Sequence, residues 1–249
     1  MVTNNRLEVE GIVIGSADYK ESSKILNVFT EDKGIISMMA RGAKRPSSQM
    51  QNMTSLYALS KFDLNQMQDF YFLNDGHLID LHQSIRTDIK KIYAAQLCAS
   101  FIDRTLLEGQ TNAQAYLLYK KSLTYLEKTD QIIRLVSMFI LKYMAMIGYR
   151  PSLDRCVICN KTVFDQPAFS TDYGGLSCLH HQINYDRLDK QDLNYLKWLF
   201  YSRLDDIETM PLAVDEEKIA KLIIEFALSK TEITFLPALK AYEQLVFIK

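Results

Sequence analysis

Four residues in the C-terminal half of the chain have the types and spacing of a metal site. Cys156 and Cys159 form a CxxC pair, and after 18 intervening residues Cys178 begins a second pair, in the segment CLHH. Two such pairs separated by about 15–20 residues are typical of tetrahedral zinc sites. Four sulfur and nitrogen ligands leave no position open for water, so a site of this kind is structural. We predict one structural Zn²⁺ per chain, bound by Cys156, Cys159, Cys178 and His181.

Two histidines compete for the fourth ligand position. His181 completes a CxxH pair that mirrors the first pair, whereas His180 would give a CxH pair. We favour His181 for this symmetry and keep His180 as the alternative. The remaining cysteine and the other two histidines are not expected to bind metal. Cys98 falls on the apolar side of a predicted helix, as a small buried residue, and His77 and His82 flank a turn without nearby partners, as surface histidines do.

A basic stretch near residue 40 is the second candidate site. The formal net charge of the chain is only −1, but residues 33–62 carry five positive side chains and no acidic one. The densest part, Arg41–Ser48, follows a predicted strand and ends in turn residues, so we expect an exposed loop. Its basic side chains can neutralise phosphates, and its serine hydroxyls and backbone N–H groups can donate to phosphate oxygens. A solvated charged loop without a ligand is the alternative.

Positive charge also collects in the middle of the chain. Residues 81–150 contain 10 basic and 5 acidic residues, whereas residues 1–80 sum to −2 and residues 151–249 to −4. A basic, partly apolar helical surface suits either nucleic acid or an acidic peptide, and ordinary solvation is again the alternative. The near-neutral total therefore hides two basic regions.

The first 80 residues show the alternation of short strands. Residues 31–34, EDKG, predict a hairpin turn in which Gly34 adopts a positive φ. Five short strands in about 75 residues indicate a small closed barrel, and such barrels bind single strands in a basic groove with aromatic stacking platforms. The predicted strands are Glu8–Gly15, Lys24–Thr30, Ile35–Arg41, Leu56–Leu64 and Phe70–Leu73, the last stopped by Asn74–Gly76. The candidate platforms are Tyr19, Phe29, Tyr57 and Phe70, of which Phe29 suits the core equally well.

The rest of the chain has helical periodicity. Ser84, Asn112 and Asp130 are placed to cap the first three predicted helices. Residues 150–186 fit neither period and hold the cysteine pairs, so we expect an irregular insert there. The predicted fold class is therefore α+β, with a barrel domain at residues 1–80 and a helical domain at residues 81–249. The predicted helices are Arg86–Leu107, Ala113–Glu127, Gln131–Ile147, Asp189–Leu204, Asp215–Ser229 and Pro237–Phe247.

Several function classes are disfavoured by what the sequence lacks. It has no GxxxxGK[ST], GxGxxG, GxSxG or HExxH motif, and four histidines supply no credible Ser/His/Asp set. We therefore do not expect an enzyme. The N-terminus has no signal-peptide pattern, and Lys142 interrupts the longest apolar run, so we expect a cytoplasmic protein without a membrane partner.

Three segments carry a family resemblance. Residues 10–48, the segment YRPSLDRCVICNK and the segment FSTDYGGLSCLHH resemble the RecO family of bacterial recombination mediators. The resemblance extends over nearly the whole chain. It implies an N-terminal OB-fold followed by a helical domain with a zinc-finger-like insert. It also implies binding of single- and double-stranded DNA, annealing of complementary strands, and loading of RecA, together with RecR, onto DNA coated by single-stranded DNA-binding protein (SSB).

The resemblance also suggests residues for each partner. The basic positions of the family fall on Ala40–Ser48, and many relatives have cysteine where this chain has its final histidine ligand. For DNA we predict Lys24, Lys33, Arg41, Lys44 and Arg45. For the acidic tail of SSB, charge and helix placement suggest Lys120, Lys121 and Arg134. A zinc-stabilised adaptor without DNA contact is the main alternative function, and a nuclease is a weaker one. A cytoplasmic, nucleoid-associated location follows.

Overall fold

The computed structural model describes residues 5–45, 48, 50–68, 70–162, 167–181, 186–209 and 214–247. The chain divides into two compact units, one ending at Glu127 and one beginning at Lys128. Among the described residues, no helix combines the length and apolar character needed to cross a membrane.

The first unit is built on a closed five-stranded barrel. Its strands are β1 (Asn5–Tyr19), β2 (Ser23–Thr30), β3 (Gly34–Ala40), β4 (Leu59–Met67) and β5 (Phe70–Asp80). They close in the order β1-β2-β3-β5-β4, in which only β3 and β5 pair in parallel. This is an OB-type barrel, and it confirms the predicted α+β class. The inward-facing residues that fill it include Val9, Val28, Ile36, Phe62 and Leu64.

Two glycines set the local geometry of the barrel. Gly34 ends the β2–β3 turn with φ +66°, as predicted, and Thr30 closes this turn by donating from Oγ1 to the Gly34 carbonyl at 2.8 Å. The expectation that Asn74–Gly76 stops the fifth strand is wrong. The strand β5 continues through Gly76 to Asp80 with a register shift. A Cβ on Gly76 would lie 2.5 Å from the Lys61 carbonyl oxygen, so glycine permits the close approach of β4.

Three helices follow the barrel: α1 (Gln83–Thr87), α2 (Ile89–Thr105) and α3 (Ala113–Lys128), all of which belong to the first unit except for Lys128, the last residue of α3. The predicted single helix over Arg86–Leu107 is wrong, because Asp88 is extended and separates α1 from α2. Asp88 caps α2 by accepting from the backbone N–H groups of Lys90 and Lys91. Ser84 is not the cap, since its hydroxyl donates to Glu127, whereas Asn112 caps α3 as predicted.

The described part of the second unit contains four α-helices and a small insert between the first two of them in the sequence. The helices are α4 (Ile132–Met146), α5 (Lys190–Tyr201), α6 (Glu216–Thr231) and α7 (Pro237–Val246). The insert contributes a three-stranded sheet in the order β7 (Gly175–Ser177), β6 (Ala168–Ser170), β8 (Asp186–Arg187). Asp130 does not cap α4, because Gln131 is the capping position and no side chain bonds there. Asp189 does cap α5, in a reciprocal pair with Asp192.

Candidate metal centre and nucleic-acid interface

The second unit brings the four predicted metal ligands together. One ligand atom from each of Cys156, Cys159, Cys178 and His181 lies within 4.8 Å of the other three. The Cys159 and Cys178 sulfurs are 3.8 Å apart, and His181 Nδ1 lies 3.6 Å from the Cys156 sulfur and 3.1 Å from the Cys178 sulfur. A tetrahedral zinc ion with bonds of about 2.3 Å to sulfur and about 2.0–2.1 Å to nitrogen separates its ligands by about 3.6–3.8 Å. Two of the three distances match this spacing and the third is about 0.5 Å shorter, so the four residues can surround one such ion after a small rotation of the imidazole.

Backbone hydrogen bonds hold both ligand pairs in place. The first pair lies in a tight turn in which Asn160 N–H donates to the Cys156 carbonyl at 2.8 Å, with Asn160 at φ 58°. The second pair lies in a short 3₁₀ turn in which His181 N–H donates to the Cys178 carbonyl at 2.8 Å. Val157 N–H donates to the Leu176 carbonyl at 2.8 Å and thereby ties the first turn to β7. These backbone hydrogen bonds therefore hold the two ligand pairs close together.

The electrostatics of the cluster favour a thiolate at Cys156. Burial opposes ionisation there, but the backbone N–H groups of Cys159, Cys178 and Ile158 stabilise the anion and lower the pKa of Cys156 to about 6. A thiolate is the form that binds metal. The cluster can therefore bind one metal ion, and its sulfur-rich ligand set is compatible with zinc. His180 is exposed and is not among the four clustered residues.

The predicted basic loop lies at one end of the barrel. A concavity of about 400 Å³ is formed where the β1–β2 turn meets the segment after β3. Pro46 and Ser47 of the loop lie outside the described residues. The concavity presents hydroxyls, guanidinium groups and an aromatic ring, a combination suited to a phosphate backbone. Its lining includes Tyr19, Lys20, Ser22, Ser23, Arg41 and Arg45.

The two arginines of the loop differ from its lysine in their contacts. Arg41 is exposed and its guanidinium lies 5.1 Å from the centre of the Phe72 ring on β5. Arg45 is also exposed. Lys44 is half-buried, pairs with Asp18 at 2.6 Å, and donates from its backbone N–H to the Ser22 carbonyl at 3.0 Å. Lys44 therefore anchors the loop to the β1–β2 turn, and the arginines face outward.

The remaining predicted DNA contacts divide between the two ends of β3. Lys24 lies opposite Ala40, at the same end as Arg41. Lys33 lies in the β2–β3 turn, at the other end of a seven-residue strand, about 20 Å away at the usual rise. The structure thus separates Lys33 from the other four residues.

Sequence patterns misplaced one aromatic residue, Tyr57, and missed one lysine, whereas Phe29 takes the core position that was its alternative. Phe29 and Tyr57 are buried and cannot serve as stacking platforms, whereas Phe70 is 68% exposed and Tyr19 lines the concavity. Lys20 was missed, and its signal is its position in the turn between two strands. It lies beside Tyr19, with its ammonium 5.3 Å from the centre of that ring.

The three residues suggested for an acidic tail have different surroundings. In the first unit Lys120 pairs with Glu10 at 2.7 Å, and the Lys121 ammonium lies 5.7 Å from the centre of the Tyr125 ring. In the second unit Arg134 is only 7% exposed, pairs with Glu216, and donates to the Ile207 carbonyl at 2.7 Å. Arg134 is therefore part of the interior of its unit and is not available to a peptide.

The fold and the site thus describe a two-domain protein. An OB-type barrel with a basic concavity is followed by a helical unit with a cluster of thiols and an imidazole, and comparison with known proteins finds a match for each part. A family model described as Recombination protein O N terminal matches residues 4–82, and one described as Recombination protein O C terminal matches residues 86–231. DNA repair protein RecO of Acetivibrio thermocellus is 29% identical over 207 residues, which cover 82% of each chain. That of Thermoanaerobacter sp. is 28% identical over 235 residues, covering 92% of this chain and 94% of the relative. That of Bacillus cereus is 31% identical over 70% of each chain.

The chain belongs to the RecO family, and its role lies in DNA repair and recombination. The resemblance noted in the sequence is thereby confirmed.

Proposed function

We propose that the protein is a non-enzymatic recombination mediator that binds DNA through the end of its barrel. It binds single- and double-stranded DNA, anneals complementary strands and, with RecR, helps to load RecA onto SSB-coated DNA. The observation that carries the proposal is the concavity lined by Lys20, Arg41 and Arg45 beside Tyr19. Cations there would contact phosphates, and the ring offers a face on which a base can stack.

Annealing follows from the same contacts. Phosphate contacts carry no base sequence information, so a strand held by them keeps its base edges available for pairing. Neutralising charge on one strand also lowers its repulsion of a second. We propose that Lys24 supplements this surface and that Lys44 supports it by holding the loop. We also propose the SSB tail and RecR as partners, in a cytoplasmic, nucleoid-associated protein. Of the three residues that charge suggested for binding the SSB tail, we retain Lys120 and Lys121.

The test is a salt titration of single-strand binding by the full chain. In the Arg41→Ala/Arg45→Ala variant, we expect weaker binding and a salt slope smaller in magnitude by about 0.7 for each lost phosphate contact. The matched control is Lys33→Ala, which removes a cation at the opposite end of β3 and should change affinity much less. Wild-type affinity and slope in the double variant would contradict the assignment.

The competing functions are separated by two further measurements. A zinc-stabilised adaptor would show no shift with oligonucleotide and would bind its protein partner equally well at high salt. A nuclease would shorten end-labelled DNA in the presence of Mg²⁺. We expect a DNA shift that salt weakens, and intact DNA.

A further inference from the structure

Three side chains of the first unit converge where the barrel meets its helices. Asp80 is the last residue of β5, His82 precedes α1, and Glu127 lies in the last turn of α3. One ligand atom from each lies within 4.8 Å of the other two. The expectation that His82 is a surface histidine without ligand partners is wrong, because it is 1% exposed. Three elements distant in sequence thus contribute one imidazole and two carboxylates to one place.

The imidazole of His82 has a defined orientation. Its Nδ1 lies 2.9 Å from the Tyr57 carbonyl oxygen. A carbonyl can only accept, so Nδ1 carries the proton in the neutral ring and Nε2 carries the lone pair. Nε2 lies 3.8 Å from Asp80 Oδ2, beyond hydrogen-bonding distance. The Nε2 lone pair of this buried ring therefore lies near the Asp80 carboxylate, which as an anion has no proton to donate to it.

Hydrogen bonds from neighbouring groups hold both carboxylates in place. Asp80 Oδ1 accepts from the backbone N–H of His82 at 2.9 Å. Glu127 Oε1 accepts from the Ser84 hydroxyl at 2.9 Å and from the Ser84 N–H at 3.3 Å. Supporting hydrogen bonds of this kind orient the ligands of metal sites in proteins.

The charge of the cluster is not balanced by a neighbouring base. Among the described residues, neither carboxylate forms an ion pair with lysine or arginine. Lys91 comes near, but its ammonium donates to the backbone carbonyl of Glu127 at 3.1 Å. Two negative charges thus lie beside a buried nitrogen lone pair, which is the donor set of a divalent cation.

We propose that Asp80, His82 and Glu127 form a binding site for a divalent first-row transition-metal ion. His82 Nε2 and one oxygen of each carboxylate would bind the ion, with water at the remaining positions. The Asp80 side chain is 46% exposed, which gives the ion access from solvent. Bonds of about 2.0–2.2 Å place neighbouring ligands about 3–3.5 Å apart, so binding requires a small inward rotation of the carboxylates. The bound ion joins the last strand of the barrel to α3, and it is independent of the cysteine cluster and of the proposed function.

Mn²⁺ is the probe that tests this site. It favours oxygen and imidazole ligands and disfavours a thiolate-rich site. The full chain, freed of metal by a chelator and dialysed, is titrated with Mn²⁺, and the free ion is counted by its electron paramagnetic resonance signal. We expect one saturable site per chain in the wild type. Loss of a ligand should weaken binding at least about tenfold, the lower end of what even an outer contact costs.

The variants separate a metal site from a merely hydrogen-bonded cluster. Asp80→Asn and Glu127→Gln keep oxygens that can accept from His82 N–H and Ser84, so the fold is preserved while the anionic ligands are lost. His77→Gln removes an exposed histidine of β5, and Cys159→Ser damages the other cluster. Both should bind Mn²⁺ as the wild type does. The proposal is overturned by a wild type without saturable binding, or by folded Asp80→Asn and Glu127→Gln variants that bind equally well.

Discussion

At the scale of single residues, surroundings decide what a charge can do. Arg134 and Lys20 are both basic, but Arg134 is buried against Glu216 and the Ile207 carbonyl, whereas Lys20 is exposed at the concavity. Charge and helix placement alone suggested Arg134 as a binding residue and overlooked Lys20. The difference is one of desolvation, because a buried guanidinium must direct its hydrogen bonds to acceptors inside the protein.

Removing Arg134 should therefore cost stability. In Arg134→Ala, the Glu216 carboxylate and the Ile207 carbonyl lose their partner, and we expect a loss of about 3 kcal/mol in the free energy of unfolding. The matched control is Lys240→Ala on the exposed face of α7, which should stay within about 0.5 kcal/mol. Urea unfolding followed by circular dichroism measures both. A loss no larger than that of the control would show that the pair contributes little.

At the scale of elements, caps and bridging ion pairs position the helices of the first unit. Helical periodicity runs through residues 86–107, but Asp88 is extended and restarts the helix as a cap. Downstream, α3 is attached to β1 because Glu10 accepts from Lys120 at 2.7 Å and from the Tyr116 hydroxyl at 3.0 Å. The first contact is an ion pair between residues 110 positions apart, and no local sequence pattern predicts it.

The Glu10 contact should give a pH-dependent contribution to stability. The ammonium of Lys120 and the Tyr116 hydroxyl lower the pKa of Glu10 below its usual value, against the opposing effect of burial. A carboxyl with a lowered pKa stabilises the folded state above its unfolded pKa of about 4.3, and the contribution disappears as the pH falls below that value. We expect Glu10→Gln to cost about 0.5–1 kcal/mol at pH 7 and progressively less as the pH falls below about 4.3 and through the lowered pKa of the folded state. Urea titrations of both proteins across this range measure the gap, and a gap independent of pH would contradict the explanation.

At the scale of the whole molecule, two compact units carry different chemistry. The first contains the barrel with its basic concavity, and the second contains the cysteine cluster in an insert with only short strands. An insert of this kind has little core of its own, so metal binding would supply much of its folding free energy.

Loss of the cysteine site should act on the second unit alone. We expect the Cys156→Ser/Cys159→Ser variant to bind one Zn²⁺ fewer per chain than the wild type, by elemental analysis, and to unfold its second unit more readily. DNA binding by the barrel should persist. The control is Cys98→Ser, whose cysteine is buried in α2 of the first unit and should not change the zinc content. Equal zinc in the double variant and the wild type would refute the assignment.

The amino-acid sequence by itself determined the features that depend on local spacing. The alternation of the first 80 residues indicated the barrel, EDKG indicated its hairpin, and the CxxC and CxxH pairs indicated the cluster of candidate metal ligands, because each pattern is set by backbone geometry over a few residues. The tertiary structure alone decided which side chains are buried and which distant ones meet. It buried Phe29, Tyr57 and Arg134, separated Lys33 from Arg41, and brought Asp80, His82 and Glu127 together. Burial and long-range contacts arise when elements pack, so their signal is absent from any short window of the sequence.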